Sequence, residues 1–422
     1  MKYAVWFVRV LFAAWMIPAG LNHFLPLFPQ PMGSQPLSME LIVALLDSRL
    51  FDIVKAVELI AGIFVLFGFY TPLALLICLP VSFGVFYWDA PLEGWGSRAA
   101  TFGYATLLAN VLLCLAYGKY YKPMFTLRTE VTDRKQLVLV ARLVLGASLV
   151  FYAANTLFLN LWPGPAGTQP LADLLMTSLA NSKLLYVALT VQLVAGALLL
   201  ANVLVPFALC AQMMISANTL FWALFLEQSP LGALLALVAF ALNGLLMIAY
   251  LPWYKEVLQR YSHAAGEKPG PATYDALFVS NAGSTAKGDY IPAMVLVLAV
   301  IAFYAYFVPG RSGQFSMLVA LYPLFTLLIR RFRDMGQHPW LLFVPVMLML
   351  LVFDIRLGYF SFSESVTGNA SFSESADGLF TWFALIVTAG FVIWGAAGPT
   401  TQEHTRDRMA NVEGRDRQPS VQ

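Results

Sequence analysis

Charge is what this chain has least of. Asp, Glu, Lys and Arg make up 11% of its 422 residues, against about a quarter in a soluble domain, while hydrophobic residues reach 59%. That balance excludes a soluble globular chain, and a net charge of +2 supplies no basic field for nucleic acid. Cysteine is also scarce. Cys78, Cys114 and Cys210 lie inside apolar runs and form no CxxC pair, which argues against a disulfide framework or a dithiol relay. His23, His263, His338 and His404 fall on separate segments, and there is no GxGxxG or Walker motif. No metal, haem or nucleotide site is therefore expected. If electrons pass here, a partner subunit must carry the metal.

What remains is apolar and long. Runs of about 20 residues, enough to cross a bilayer core of roughly 30 Å, recur along the chain. In lipid such runs satisfy their backbone groups only as helices. The expected fold is an all-α polytopic membrane protein of about twelve transmembrane helices in three four-helix units. The spans are placed near 4–25, 50–69, 73–88, 99–117, 137–161, 184–202, 204–225, 231–251, 290–308, 314–329, 340–353 and 379–397. Basic residues cluster after the fourth span (Lys119, Lys122, Arg128, Arg134, Lys135), the eighth (Lys255, Arg260, Lys268) and the tenth (Arg330, Arg331, Arg333). By the positive-inside rule those loops are cytoplasmic, which places both termini inside. The expected location is the bacterial inner (cytoplasmic) membrane. The opposite loops are Pro-rich at 26–36 and 162–170 and Ser-rich at 361–375, and the polar tail from Pro399 to Gln422 is expected to be disordered.

The first half of the chain is written twice. Arg9 aligns with Arg142 and Asn22 with Asn155; VELIAG at 57–62 lies over VQLVAG at 191–196, Pro72 over Pro206 and Trp88 over Trp222. The copies differ where chemistry would sit: His23, Lys55 and Glu58 become Thr156, Leu189 and Gln192. The expected domains are thus a first four-helix bundle at 1–125, a degenerate second copy at 137–258, a cytoplasmic linker at 259–289, a four-helix membrane domain at 290–398 and a tail at 399–422.

An Arg early in the first helix, Asn22-His23-Phe24 at its outer end, and VELIAGIFVLFGFYTPLA in the second helix resemble the DoxX-like four-helix membrane family. The likeness covers 1–125, and 137–258 more weakly. It implies redox work at the membrane, since that family is associated with quinol oxidases, thiosulfate:quinone oxidoreductases and membrane-anchored redox complexes. The last third resembles the domain-of-unknown-function family numbered 805. Pro323, Arg330-Arg331-Phe332-Arg333-Asp334-Met335-Gly336, Trp340 and Pro345 carry that likeness, which brings no established chemistry.

An ionisable group inside the membrane costs about 2.5–3.5 kcal/mol on insertion scales, so each needs a reason. Lys55 and Glu58 sit three apart on one helix face, and His23 lies at a comparable depth. Together they form a candidate catalytic cluster able to take a proton from a quinol or to hydrogen-bond a quinone carbonyl. The plainer alternatives are that Lys55 snorkels, His23 caps a helix end, and Glu58 pairs with Arg9 or Lys55. Arg9, Asn110, Arg142 and Asn243 are expected to be structural polar groups, with the two Asn as alternative partners of the two Arg. Arg330, Arg331, Arg333 and Asp334 form either a topology-fixing basic loop that holds lipid headgroups or an ordered turn that presents Arg333 to a partner.

Two classes of function are consistent with these features. One is a redox-associated subunit that binds a quinone or docks a soluble or membrane oxidoreductase. The other is a transporter or lipid-handling protein with Glu58 as a proton-coupled site, or, more plainly, an assembly scaffold. The repeats are parallel and no paired spans are broken in mid-membrane, which favours the first class.

Overall fold

The computed structural model describes residues 2–131, 135–161, 166–308, 310–357 and 370–400. Most of the Ser-rich 361–375 segment and of the tail lie outside the described residues, as do Arg134, His404 and positions 162–165. Among the described residues the regular elements are helical, with no strand. They are α1 (Lys2–Phe24), α2 (Pro36–Asp47), α3 (Leu50–Phe67), α4 (Thr71–Tyr87), α5 (Arg98–Ala116), α6 (Gly118–Tyr121), α7 (Lys135–Ala154) and α8 (Pro170–Asn181). Next come α9 (Leu184–Ala201), α10 (Val205–Phe221), α11 (Pro230–Ala249), α12 (Tyr274–Phe278), α13 (Lys287–Phe307), α14 (Arg311–Asp334), α15 (Phe343–Leu357) and α16 (Ala370–Ala397).

Ten of these helices are long and apolar enough to cross a membrane, so the protein is an integral, multi-pass membrane protein. Helix α3 stands apart from them because Asp52, Lys55 and Glu58 fall within its 18 residues. The segment at 339–353 stands apart because it is short.

The described chain divides into two compact units: residues 1–28, 62–69 and 263–422, and residues 29–61 and 70–262. These units do not coincide with the repeat boundaries, since α1 groups with the carboxy-terminal helices. In the first unit Trp6 is wholly buried, edge-on to Phe278 at 5.5 Å, and the Tyr304 hydroxyl donates to the Leu11 carbonyl at 2.6 Å. Much of the stretch expected to be a linker, 259–289, is packed into the first unit. Tyr274, Leu277 and Phe278 of α12 are buried, and the Glu267 carboxylate accepts from the backbone N–H of Ala264 and Tyr274 at 3.0 and 2.7 Å. Its Gly, Pro and Ser content conceals those aromatic anchors.

Positions paired in the sequence adopt the same local geometry. Asn22 and Asn155 each accept from the N–H six residues on, at 2.8 Å. Tyr70 and Leu204 both take the left-handed conformation, each at the start of a helix that has Pro in its first turn. The Tyr121 and Tyr254 hydroxyls donate to the carbonyls of Pro72 and Pro206 at 2.8 and 2.7 Å. The Trp88 and Trp222 indoles donate to the carbonyls of Ser38 and Ala172. Two kinds of element depart from the expectation. α2 and α8 lie in or beside the stretches read as Pro-rich loops; each begins with Pro at its first turn, and they pack on each other through Ala44, Ala172 and Leu175. Short π-helical turns also follow α4, α7 and α10, at Trp88–Leu92, Asn155–Leu159 and Trp222–Glu227.

Candidate functional site

The site is built on α3. A side chain three residues ahead of another lies on the same helix face, and the Lys55 ammonium reaches Glu58 Oε2 at 2.7 Å. Lys55 is 9% exposed and Glu58 2%. The Lys55 stem therefore turns along the helix into the protein instead of snorkelling toward water, and its ammonium sits 5.0 Å from the centre of the Phe51 ring. A buried ion pair of this kind contributes little to stability, because desolvating two charges costs about as much as their attraction returns.

A run of polar contacts joins the next two helices. The Cys78 thiol of α4 lies 4.0 Å from the Ser82 hydroxyl. Asn110 of α5 donates to Ser82 Oγ at 2.8 Å and accepts from the Cys114 thiol at 3.4 Å. Asn110 thus joins α4 to α5. Its counterpart Asn243 plays a similar joining role, donating to the Leu209 carbonyl and accepting from the Met213 N–H in the amide orientation that satisfies both ends.

Asp89 is the residue that sequence reasoning missed. It lies in the π-helical turn after α4, 7% exposed, against Gly103 of α5. The signal was present: extending the Trp88/Trp222 match by one position sets Asp89 against Ala223. The positions paired with Lys55, Glu58 and Asp89, namely Leu189, Gln192 and Ala223, are all neutral.

The other expected site residues fall elsewhere. His23 belongs to the first compact unit, half-buried at the end of α1 and edge-on to Phe24 at 5.1 Å, whereas Lys55 and Glu58 belong to the second unit. Arg9 is buried, donates from Nε to the Val65 carbonyl at 2.7 Å and stacks its guanidinium 3.6 Å from the centre of the Tyr274 ring. Arg142 bonds the Asn202 side chain. The position paired with Asn202 is Gly68, where an added Cβ would stand 2.9 Å from the Arg9 guanidinium. The two arginines therefore hold matching places with different acceptors.

The Arg-rich motif is satisfied mostly within the chain. Arg330 donates to the carbonyls of Ser280, Ala282 and Ser284 and to the Thr285 hydroxyl. Arg331 donates to the carbonyls of Gly395 and Gly398 at 2.8 and 2.5 Å and pairs with Asp334. Arg333 is exposed and bonds the Asn281 carbonyl. It borders a groove of about 540 Å³ lined also by His338, Trp340 and Phe343. Among the described residues no group of three or more His, Cys, Asp or Glu is placed to hold a metal ion.

Glu93 closes the loop ahead of α2. It accepts from the Ser34 N–H at 2.8 Å, the Ser34 hydroxyl at 2.6 Å, the Gln35 N–H at 3.3 Å and the Ser38 hydroxyl. Partial burial pushes its carboxyl up, but these bonds to the charged form outweigh that and hold it below the ordinary 4.5. A carboxyl with a depressed folded pKa contributes stability above the unfolded value and loses it as pH falls through the folded one. The Ser34 and Gln35 amides are thus expected to lose hydrogen-exchange protection, after correction for intrinsic rates, only on acidification below the carboxylate range. Unchanged protection at such pH would show that Glu93 does not hold this loop. Glu227, the residue paired with Glu93, makes matching bonds to Thr168, at 2.8 and 2.6 Å.

Compared with known proteins, this chain matches no family model, no curated protein and no solved structure.

Proposed function

We propose that this integral membrane protein is a quinone-linked subunit of a bacterial inner-membrane redox complex, built on an internal duplication of a DoxX-like bundle. Its working site is the Lys55–Glu58 pair in the first copy, with an oxidoreductase partner as the electron carrier. The observation that carries this reading is the buried 2.7 Å ion pair itself, at positions where the second copy has Leu189 and Gln192. The residues fit a quinone headgroup: its carbonyl oxygens need a donor in an otherwise apolar wall, and its reduced hydroxyls need an acceptor. Lys55 provides the donor and Glu58 the acceptor. A bound quinone supplies two-electron redox chemistry coupled to protons. The chain's part is to orient the headgroup through the Lys55 ammonium and to hold a proton on the Glu58 carboxylate. Low dielectric around the pair strengthens both interactions.

Mass spectrometry of lipids co-purifying with the intact protein tests the reading. A stoichiometric quinone in the wild-type protein, depleted at least tenfold by Glu58→Gln, is expected. Quinone-free extracts from every sample would sink it, and leave transport or scaffolding as the account of the pair.

A further inference from the structure

We propose that the groove beside the end of α14 is a binding site for one anionic phospholipid. Arg333 and His338 hold its phosphate, and an acyl chain lies along the apolar wall between α14 and α15. The residues all belong to the first compact unit, and the proposal does not depend on the reading of Lys55–Glu58. Three observations carry it.

The first is unbalanced charge. The end of α14 sets three cations, Arg330, Arg331 and Arg333, against the single carboxylate of Asp334. Asp334 pairs with Arg331. Arg330 is bonded to carbonyls and a hydroxyl, and Arg333 to a carbonyl; among the described residues neither forms an ion pair. Arg330 stands one helical turn before Arg333 and is buried, so water screens its charge poorly. The described lining of the groove contains no Asp or Glu. An anion in the groove would supply the missing countercharge.

The second is free donors. Arg330 and Arg331 are turned into the protein, which leaves the grip to Arg333 alone. Its Nη1 is bonded to the Asn281 carbonyl, but a guanidinium offers five N–H groups, and its fork matches two phosphate oxygens. Across the groove, His338 Nδ1 accepts from the Trp340 N–H at 3.3 Å. The ring proton is therefore assigned to Nε2, a second donor on the exposed side of this turn.

The third is shape and level. Helix α14 is long and apolar enough to cross a membrane, so its last turn lies where headgroups sit. Trp340 follows at 75% exposure, and tryptophan favours that level. Phe343 is 56% exposed, and Ile329 and Val346 continue the wall beside it. The cavity of about 540 Å³ has the size of a ligand cleft. A free phosphate ion would occupy only its charged end and leave the wall bare. A lipid covers both, which selects it over a free anion. The wall continues along the apolar helix α15, at a depth that acyl chains reach and an acidic soluble partner does not.

The experiment is native mass spectrometry of the full-length protein in detergent, titrated with dioleoyl phosphatidylglycerol, dioleoyl phosphatidylcholine or inorganic phosphate. One phosphatidylglycerol per chain is expected, held about tenfold more tightly than phosphatidylcholine and not displaced by phosphate. Arg333→Gln keeps an amide for the Asn281 carbonyl and is expected to weaken phosphatidylglycerol binding about tenfold. Trp340→Ala leaves every charge in place and is also expected to weaken it. Lys255→Ala removes an exposed cation from the other compact unit and is expected to change nothing. Equal affinity for the two lipids, or an equal loss in Lys255→Ala, overturns the proposal in favour of general surface attraction. Displacement by phosphate overturns it in favour of a free-anion site. A wild-type protein that retains no lipid overturns it and gives the groove to an acidic protein partner.

Discussion

Glu58→Gln is expected to destabilise the folded protein by about 3 kcal/mol, and the Lys55→Leu/Glu58→Gln double variant to recover most of that loss. Removing one partner of a buried ion pair strands the other charge, which costs about 3–5 kcal/mol, whereas removing both restores an apolar surface. The Lys55 ammonium keeps its place 5.0 Å from the centre of the Phe51 ring, which sets the single variant at the low end of that range. The double variant reproduces the paired residues Leu189 and Gln192, and Leu189 is buried. Unfolding of the reconstituted wild type, of Lys55→Leu, of Glu58→Gln and of the double variant by a denaturing detergent closes the cycle and gives the coupling within the pair. A large negative coupling is the expected result; strictly additive losses would mean that the 2.7 Å contact has no energetic content. If the double variant is as stable as the wild type, the charges are not there for stability. That outcome would leave function as their reason, as the quinone-site reading requires.

Much of the fold was legible because hydrophobic length is a strong signal in lipid. Each predicted span overlaps a helix, including α3, whose three charges keep it from looking like an ordinary crossing. The amphipathic α2 and α8 were not legible as helices because Pro36 and Pro170 read equally well as loop residues. Each Pro stands at the first helical turn, where its missing N–H costs nothing. The π-turns leave no periodic trace, since one extra residue in a turn only shifts the phase of the residues after it. Asp89 is not hidden by this, since both matched stretches keep the same register through the turn; it sits one residue beyond Trp88, where the match was not carried on to Ala223. The Lys55–Glu58 contact was legible from spacing alone, because a helix fixes it. The destination of Arg330 and Arg331 was not, because a guanidinium accepts any carbonyl as its partner. The carbonyls that bind them come from Ser280, Ala282 and Ser284 and from Gly395 and Gly398.

Those two arginines lead to the second large effect. Arg331→Met is expected to cost about 3 kcal/mol or more, and Arg331→Lys nearly as much, while Arg333→Ala costs under about 1 kcal/mol. Arg331 is 0% exposed, and its fork satisfies two carbonyls at the end of α16 as well as the Asp334 carboxylate. Each buried acceptor left unbonded costs about 1–3 kcal/mol, and the cation also complements the negative end of the α16 dipole. A lysine is a single point charge without the planar fork, so it cannot meet acceptors spread over Gly395, Gly398 and Asp334 together. Arg333 is exposed, and its one carbonyl acceptor can turn to water when the side chain is removed. The same detergent-unfolding measurement ranks the three variants. If instead Arg333→Ala proves the costliest, the internal bonds of Arg331 are energetically idle. The motif would then have to be read as a grip on something outside the chain, with the groove beside Trp340 and Phe343 as the place to look.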